Sequence, residues 1–457
     1  MTTETARFDT AWQAAHNQAD RAARSGRDVV LARDLLGRAS LLIDDAENPL
    51  PTDGPEAADR RAEFAAATAP FTGVEPVQTA RSMFAPEIFF EAPDLVEVSP
   101  RGDGVGRVAV LERTVVGMDW LRDTTPDADE PPDLRRERRV ALYGFKGGVG
   151  RSTATAVLAR YLADRGRCVL VVDLDLESPG VSNLCSDEAG RPRHGIVDHL
   201  VEAGVGNADG LELVARASLL PHKSNGEVWI APAGGLPLED EPYDYLGKLN
   251  RIYSDLPATE PGGTPRPFAV RLEDAITACE DQVAELSRRP DVVLLDSRAG
   301  IHDIAAVTLT RLSGLVLLFA VDNPSTWEGY RMLLSEWQRR PDDARMLRER
   351  IRVVAAMFHS AGDIERLGTL RRHAYDLFVD TLYNLSDEDD EEPFFSPDGA
   401  VDDAPYAAVP ILFGNDLVGL DPLRSRKWPE LPFVEAAYRT FTSTVERLLP
   451  APHEEKR

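Results

Sequence analysis

Lysine is scarce in this chain. Only Lys146, Lys223, Lys248, Lys427 and Lys456 occur in 457 residues, and arginine supplies nearly every other cation. Positive charge is short altogether: 51 Lys and Arg stand against 77 Asp and Glu, a net charge of −26. That balance disfavours a broad basic footprint for DNA or an anionic membrane, though not a local basic patch. Cysteine is also sparse. Cys168, Cys185 and Cys279 are far apart and form no C-x-x-C pair, so a cysteine-built zinc or iron–sulfur site is not expected, and the usage suits a reducing cytoplasm. Long apolar runs are missing. The longest, "GLVLLFAV" at Gly314–Val321, is too short to span a bilayer. The opening "MTTETARFDTAW" lacks the basic start and apolar stretch of a signal peptide, and the closing "APHEEKR" has no polybasic amphipathic face.

What is present is a globular composition, 43% apolar and 28% charged. At roughly 150 residues per domain the length suits two or three domains, or one large α/β unit with an appendage. The first 70 or so residues read as helical, through "TAWQAAHNQADRAA" and "DVVLARDLLGRASLLIDD". "DLVEVSPRGDGVGRVAVLERTVVG", Asp94–Gly117, reads as two strands about a Gly-rich turn, the "RGD" being part of that turn. The expected organisation is a mainly helical N-terminal accessory region with a β-hairpin over 1–123, an acidic Pro-rich linker over 124–137, and a catalytic-type domain over 138–450. In that last part short β-branched runs ("VALYGF", "CVLVVDLD", "EVWIAPAG", "DVVLLD", "GLVLLFAVD", "IRVVAAMF", "VPILFG") alternate with helical segments. Continuous apolar strands spaced by helices signal a parallel sheet covered on both faces, here an α/β doubly wound, mostly parallel sheet. "SDEDDEE", Ser386–Glu392, reads as an exposed acidic loop, and "FVEAAYRTFTSTVERLL" as a closing helix.

The chemistry concentrates in "GFKGGVGRS". It has the spacing G-x-x-x-x-G-[basic]-[Ser/Thr] of a phosphate-binding loop, with Gly144, Gly150, Arg151 and Ser152 at the defining positions. Phosphate oxygens require several inward-pointing backbone N–H donors, and glycines let the chain turn that tightly. An apolar strand enters this loop, and "STATAVLARYLADRG" leaves it as an amphipathic helix whose N-terminus adds partial positive charge. The nucleotide-binding set is therefore Gly144, Lys146, Gly147, Gly148, Val149, Gly150, Arg151, Ser152 and Thr153. Two aspartates at the ends of apolar strands, Asp173 and Asp296, together with Ser152, suit a hard cation such as Mg²⁺; strand-end aspartates also serve as helix caps or turn residues.

"KGGVGRST" resembles the deviant Walker A motif of the ParA/MinD class of P-loop ATPases, whose usual form is KGG-x-GK-[ST]. "VLVVDLDLESPGVS", "GIVDHL", "WIAPAGG" and "VVLLDSRAG" resemble that family's later motifs in the same order, so the likeness runs over roughly Arg138–Leu449. It implies a P-loop NTPase fold that binds ATP and Mg²⁺ and pairs into a homodimer as a nucleotide sandwich. By position it implies that Lys146 reaches across to the partner's phosphates and that Ser152 supplies the metal's hydroxyl ligand. Asp173 would lie near the metal, Asp175 would position the attacking water, and Asp296 would hold the metal through water. Gly300 falls where a switch amide senses the γ-phosphate.

The chain also departs from the pattern. Arg151 replaces the loop lysine: the charge is kept, but a planar fork replaces a point charge. Drift toward arginine would apply equally to Lys146, which persists, so nucleotide binding and the trans contact are expected to survive while hydrolysis is slow. "IRVVAAMFHS" lacks an asparagine for reading the base, which leaves ATP against GTP open. Asn415 and Asp416 read as a turn rather than base contacts, Arg298 as either a phosphate sensor or a surface arginine, and His302–Asp303 as a local hydrogen bond. The expected function is an ATP-binding dimerisation switch with weak hydrolysis, acting on an unknown protein partner through the N-terminal region. A nucleotide-binding scaffold without turnover and a ParA/MinD-like positioning ATPase are the alternatives.

Overall fold

The computed structural model describes residues 7–92, 94–102, 104–113, 118–121, 134–219, 225–236, 243–256, 265–338, 341–359, 364–383, 404–417, 422–423, 428 and 431–452. The Pro-rich stretch 124–133 and the acidic run 386–392 lie outside them. The chain divides into two compact units, Met1–Met118 and Asp119–Arg457.

The first unit runs α1 (Phe8–Ala23), β1 (Val29–Arg33), β2 (Ala39–Ile43), α2 (Pro55–Thr68), β3 (Thr72–Thr79), α3 (Glu87–Phe90), β4 (Val96–Ser99) and β5 (Val108–Glu112). Its strands form one sheet in the order β3-β2-β1-β5-β4. The expectation of a mainly helical region is thus corrected. "DVVLARDLLGRASLLIDD" is an antiparallel hairpin, with Val29 opposite Ile43 and Arg33 opposite Ala39. The reason is turn chemistry inside "DLLGR". Asp34 Oδ1 accepts from the amides of Leu36 and Arg38, each at 2.9 Å, and Gly37 takes φ +78°. Two five-residue apolar runs flank that turn, a pattern that helical spacing alone had masked. Helix α1 forms where expected, and its alanines at 11, 15, 19 and 23 are buried at the helical repeat. The hairpin of β4 and β5 is also present.

The second unit continues with α4 (Met118–Leu121), β6 (Arg139–Tyr143), α5 (Arg151–Asp164), β7 (Cys168–Leu174), α6 (Val181–Cys185), α7 (Ile196–Ala203), β8 (Ala215–Arg216), β9 (Glu227–Ala231), α8 (Tyr245–Ile252), α9 (Phe268–Leu286), β10 (Val292–Ser297), α10 (Asp303–Val307), β11 (Leu315–Ala320), α11 (Pro324–Gln338), α12 (Pro341–Arg350), β12 (Ile351–Phe358), α13 (Ile364–Phe378), β13 (Val409–Leu412) and α14 (Pro432–Leu448). The eight strands lie in the order β13-β12-β11-β6-β10-β7-β9-β8, parallel except where β8 meets β9. This is the doubly wound layer expected from the sequence. Every residue of β6, β7, β10 and β11 is buried, because helices cover both faces. For the same reason α5 is not the amphipathic helix its sequence suggested: ten of its 14 residues are buried, beneath the sheet on one side and α14 on another. Among the described residues no helix is long and apolar enough to cross a membrane.

Strand order positions the site. β10 pairs with β6 on one side and β7 on the other, so Asp296 sits directly beside Asp173 and beside Leu142 near the end of β6. The phosphate loop leaves β6 at that same carboxyl edge, where open α/β sheets bind ligands.

Candidate functional site

The loop from Gly144 to Gly150 links β6 to α5. Gly148 and Gly150 take φ of +74° and +84°, a backbone that L side chains rarely adopt, and the space outside both is open. At the loop's base Val149 is buried, and a Cβ on Gly144 would lie 3.0 Å from Val149 Cγ2. Gly147 is exposed at the rim, and Lys146 is exposed beside it, its Nζ 5.7 Å from the Phe145 ring centroid. Among the described residues Lys146 has no ion-pair partner. That suits a cation aimed away from its own chain.

Ser152 opens the second position of α5, and its Oγ donates to Asp296 Oδ2 at 2.7 Å. Thr153 follows, half-buried. Thr155, one turn on, donates toward Asp296 Oδ1 at 3.4 Å and bonds the Arg151 carbonyl at 3.0 Å, a participant that the motif spacing did not single out. Asp173 faces a second set of donors: the Ser182 hydroxyl at 2.7 Å, the Ser182 amide at 3.1 Å and the Gly180 amide at 3.2 Å. Gly180 itself passes close to Ser152, whose Oγ would lie 3.7 Å from a Cβ there. The structure therefore gathers Ser152, Asp173 and Asp296 at one edge, with Asp173 anchoring the loop that follows β7.

Electrostatics separate these carboxyls from ordinary aspartates. Burial pushes Asp296 from 3.8 up to about 7, and the neighbouring Asp173 adds to the rise. Burial likewise takes Asp173 to about 6 against the pull of its Ser182 hydrogen bonds. A buried strand-end charge of this kind calls for a compensating cation. The donors gathered at this edge, the Ser152 hydroxyl and the Asp173 and Asp296 carboxyls, are all oxygen. That fits Mg²⁺, which keeps waters and takes phosphate oxygens rather than a full protein cage. Ser152 and Asp296 would hold it, with Asp173 behind them.

A pH prediction follows from the raised carboxyl of Asp296. A group whose folded value lies above its unfolded one contributes stability below about 3.8 that is lost as pH rises through about 7. At pH 8 the free chain then carries a buried charge that a bound cation would relieve. Mg²⁺ with nucleotide should therefore raise the melting temperature more at pH 8 than at pH 6. Asp296→Asn, which can still accept from Ser152, should melt higher than the parent without ligand at pH 8, on the order of 5 °C, and lose the Mg²⁺-dependent increment. Scanning calorimetry at the two pH values checks both; an increment that does not depend on pH would contradict the argument.

Arg151 does not point into the open loop. Its side chain is buried; Nη1 donates to the Ser297 carbonyl, and Nη2 lies 3.5 Å from Asp175 Oδ2. Burial pushes the Asp175 carboxyl up, and the charges of Arg151 and then Arg298 pull against it. In the free chain the loop's guanidinium thus bridges the ends of β10 and β7. Gly300 takes φ +77°, and its carbonyl accepts from Tyr143 OH at 3.1 Å, which moors the loop after β10 to β6. Arg298 and His302 both turn to Glu177, and His302 also makes a local hydrogen bond, its Nδ1 accepting from the Ile304 amide at 3.4 Å. Asn415 begins a short 3₁₀ turn, Asn415–Leu417, as expected.

The family model for the CobQ/CobB/MinD/ParA nucleotide binding domain matches residues 140–377. The chromosome-partitioning ATPase Soj of Thermus thermophilus is 51% identical over 47 residues, 10% of this chain and 19% of that protein. The cytosolic Fe-S cluster assembly factor CFD1 of Eremothecium gossypii is 30% identical over 132 residues, 28% of this chain and 47% of that protein. The chain thus spans less than half the length of these relatives. Among solved structures, a pNOB8 ParA bound to nonspecific DNA aligns at TM-score 0.39 and 16% identity, covering 68% of this chain and 96% of that one. The MinD of a MinC:MinD complex from Aquifex aeolicus aligns at TM-score 0.37 and 16% identity, covering 70% and 99%.

Proposed function

This chain belongs to the family of CobQ/CobB/MinD/ParA nucleotide-binding domains, and from that premise we propose that it is an ATP-binding dimerisation switch with slow Mg²⁺-dependent hydrolysis. The observation that carries this reading is the pairing of an exposed Lys146, without an ion-pair partner among the described residues, with an intact oxygen site at Ser152 and Asp296. The loop amides and the start of α5 would take the phosphates. Ser152 and Asp296 would hold Mg²⁺, which would supply charge neutralisation to the phosphates. Asp175 would position the attacking water, Lys146 would reach the partner's nucleotide, and Arg151 would have to leave Asp175 to meet the phosphates.

The N-terminal unit, a sheet with α1 and α2 packed on it, would transmit the nucleotide state to a protein partner. The iron–sulfur relatives do not transfer their cargo to this reading: all three cysteines here are buried and free, which suits a reducing compartment. The case against DNA rests on the net charge of −26. The family gives no further ground for excluding DNA, since one structural neighbour is a ParA bound to it. Light scattering with and without a non-hydrolysable ATP analogue and Mg²⁺ tests the reading. The mass should double with the analogue. An unchanged mass, with nucleotide bound, would favour the scaffold alternative, and co-sedimentation with DNA at physiological salt would favour a partition-type role.

A further inference from the structure

Glu177 lies two residues beyond Asp175, on the loop that leaves β7, and donors from separate elements converge on it. The hydroxyl of Tyr253, at the end of α8, donates to Oε1. His302 Nε2, at the start of α10, lies 3.2 Å from the same oxygen. Arg298, on the loop after β10, pairs with Oε2. Burial pushes the Glu177 carboxyl up, but the hydrogen bonds from His302 and Tyr253 and the charge of Arg298 carry it down to about 2. Glu177 is therefore a fixed anion at the mouth of the phosphate site.

Its two oxygens are not equivalent. Oε1 has two donors that do not involve Arg298, so the carboxylate keeps a satisfied side if Arg298 leaves. Arg298 is also more accessible than Arg151: its side chain is 29% exposed against 7%. It follows Ser297, whose carbonyl receives Arg151, and its charge is felt by Asp175. Two arginines thus flank one carboxylate. One is buried across the strand ends, and the other, part-exposed, rests on a neighbouring anion.

Resting on the reading that this loop binds a nucleoside triphosphate, we infer that Arg298 is a triphosphate-specificity residue, held on Glu177 in the free chain and transferred to the terminal phosphoryl group when one is present. A diphosphate lacks that group and leaves the pair intact. The physical basis is that a guanidinium exchanges a singly contacted carboxylate for a phosphoryl group of greater charge that can accept both arms of its fork. Glu177 is then a positioning residue, kept in place by Tyr253 and His302.

Calorimetric titration of the full chain with ADP and with a non-hydrolysable ATP analogue, both with Mg²⁺, tests this on the parent, Arg298→Ala, Arg298→Lys and Glu177→Gln. Arg298→Ala should weaken the analogue about tenfold or more while ADP stays within about twofold. Arg298→Lys should restore part of the loss. Glu177→Gln, which loosens the hold and keeps the cation, should bind the analogue at least as tightly as the parent. Equal effects of Arg298→Ala on both nucleotides would overturn the inference. So would a Glu177→Gln chain that loses analogue binding as Arg298→Ala does, because the cluster would then serve only to pin the loop. A parent chain that binds neither nucleotide would instead remove the nucleotide reading itself.

Discussion

Lys146→Ala is expected to abolish the analogue-dependent doubling of mass and to lower ATP hydrolysis by about 10³-fold, the scale at which a cation supplied in trans stabilises phosphoryl transfer. The reasoning starts from where the side chain is. Lys146 is exposed on the loop rim, without an ion-pair partner among the described residues and with its Nζ 5.7 Å from the Phe145 ring centroid. It contributes nothing visible to its own chain's fold, so its removal should leave the melting temperature within about 1 °C, as for ordinary surface substitutions. Nucleotide binding to the single chain should also persist within a few fold, because the amides after Gly144 and the oxygen pair of Ser152 and Asp296 are untouched. Light scattering, phosphate release and titration with nucleotide separate these outcomes. A variant that still dimerises, or one that loses nucleotide binding along with dimerisation, would show that Lys146 acts within its own subunit.

The parts of this molecule legible in sequence are those set by local pattern. The apolar strands, the glycine spacing of the loop and the serine that follows it are each contained in a few consecutive residues, and β6, β7, β10 and β11 formed where their apolar runs lie. The misread hairpin of β1 and β2 shows the limit of that approach. Its apolar residues fit a helical repeat as well as two strands, and the deciding feature was one aspartate folding back on two amides. The burial of α5 on nearly all sides was invisible for a different reason, since it depends on α14 packing from the far end of the chain. The same holds at the site. Asp173 and Asp296 could be picked out as strand-end acids and Asp175 through the family resemblance, yet nothing local connects Glu177 to Tyr253 or His302, or Arg151 to Ser297. Arg151 meets Ser297 because β6 and β10 are neighbours in the sheet, and Glu177 meets His302 because β7 and β10 are, although more than a hundred residues separate each pair in the chain.

Arg151→Lys is expected to accelerate hydrolysis about tenfold or more over the parent, and Arg151→Ala to weaken nucleotide binding by at least a similar factor. The arginine's reach explains both. A guanidinium can meet the Ser297 carbonyl with one nitrogen and approach Asp175 with another, and in the free chain it does so while buried. Nucleotide must compete with those acceptors, so apparent affinity falls by the fraction of chains in which Arg151 is free. A lysine at this position has a single compact ammonium in place of two guanidinium nitrogens directed at separate acceptors, and matches β and γ oxygens as a point charge. It should therefore be available to the phosphates at less cost and stabilise the transferring group better. Alanine removes the cation altogether and leaves the Ser297 carbonyl without this donor. It also strips from Asp175 the largest influence opposing its burial, so that carboxyl should move further up. If Asp175 positions the water as a carboxylate, the acid limb of any residual pH–rate profile should then shift to higher pH, whereas Arg151→Lys should shift it less. Steady-state phosphate release across pH 5.5–8.5, with affinities measured in parallel, distinguishes the cases. An Arg151→Lys chain no faster than a parent that turns over readily would mean that the guanidinium already reaches the phosphates productively, and that its bridge to Asp175 and Ser297 does not restrain the site.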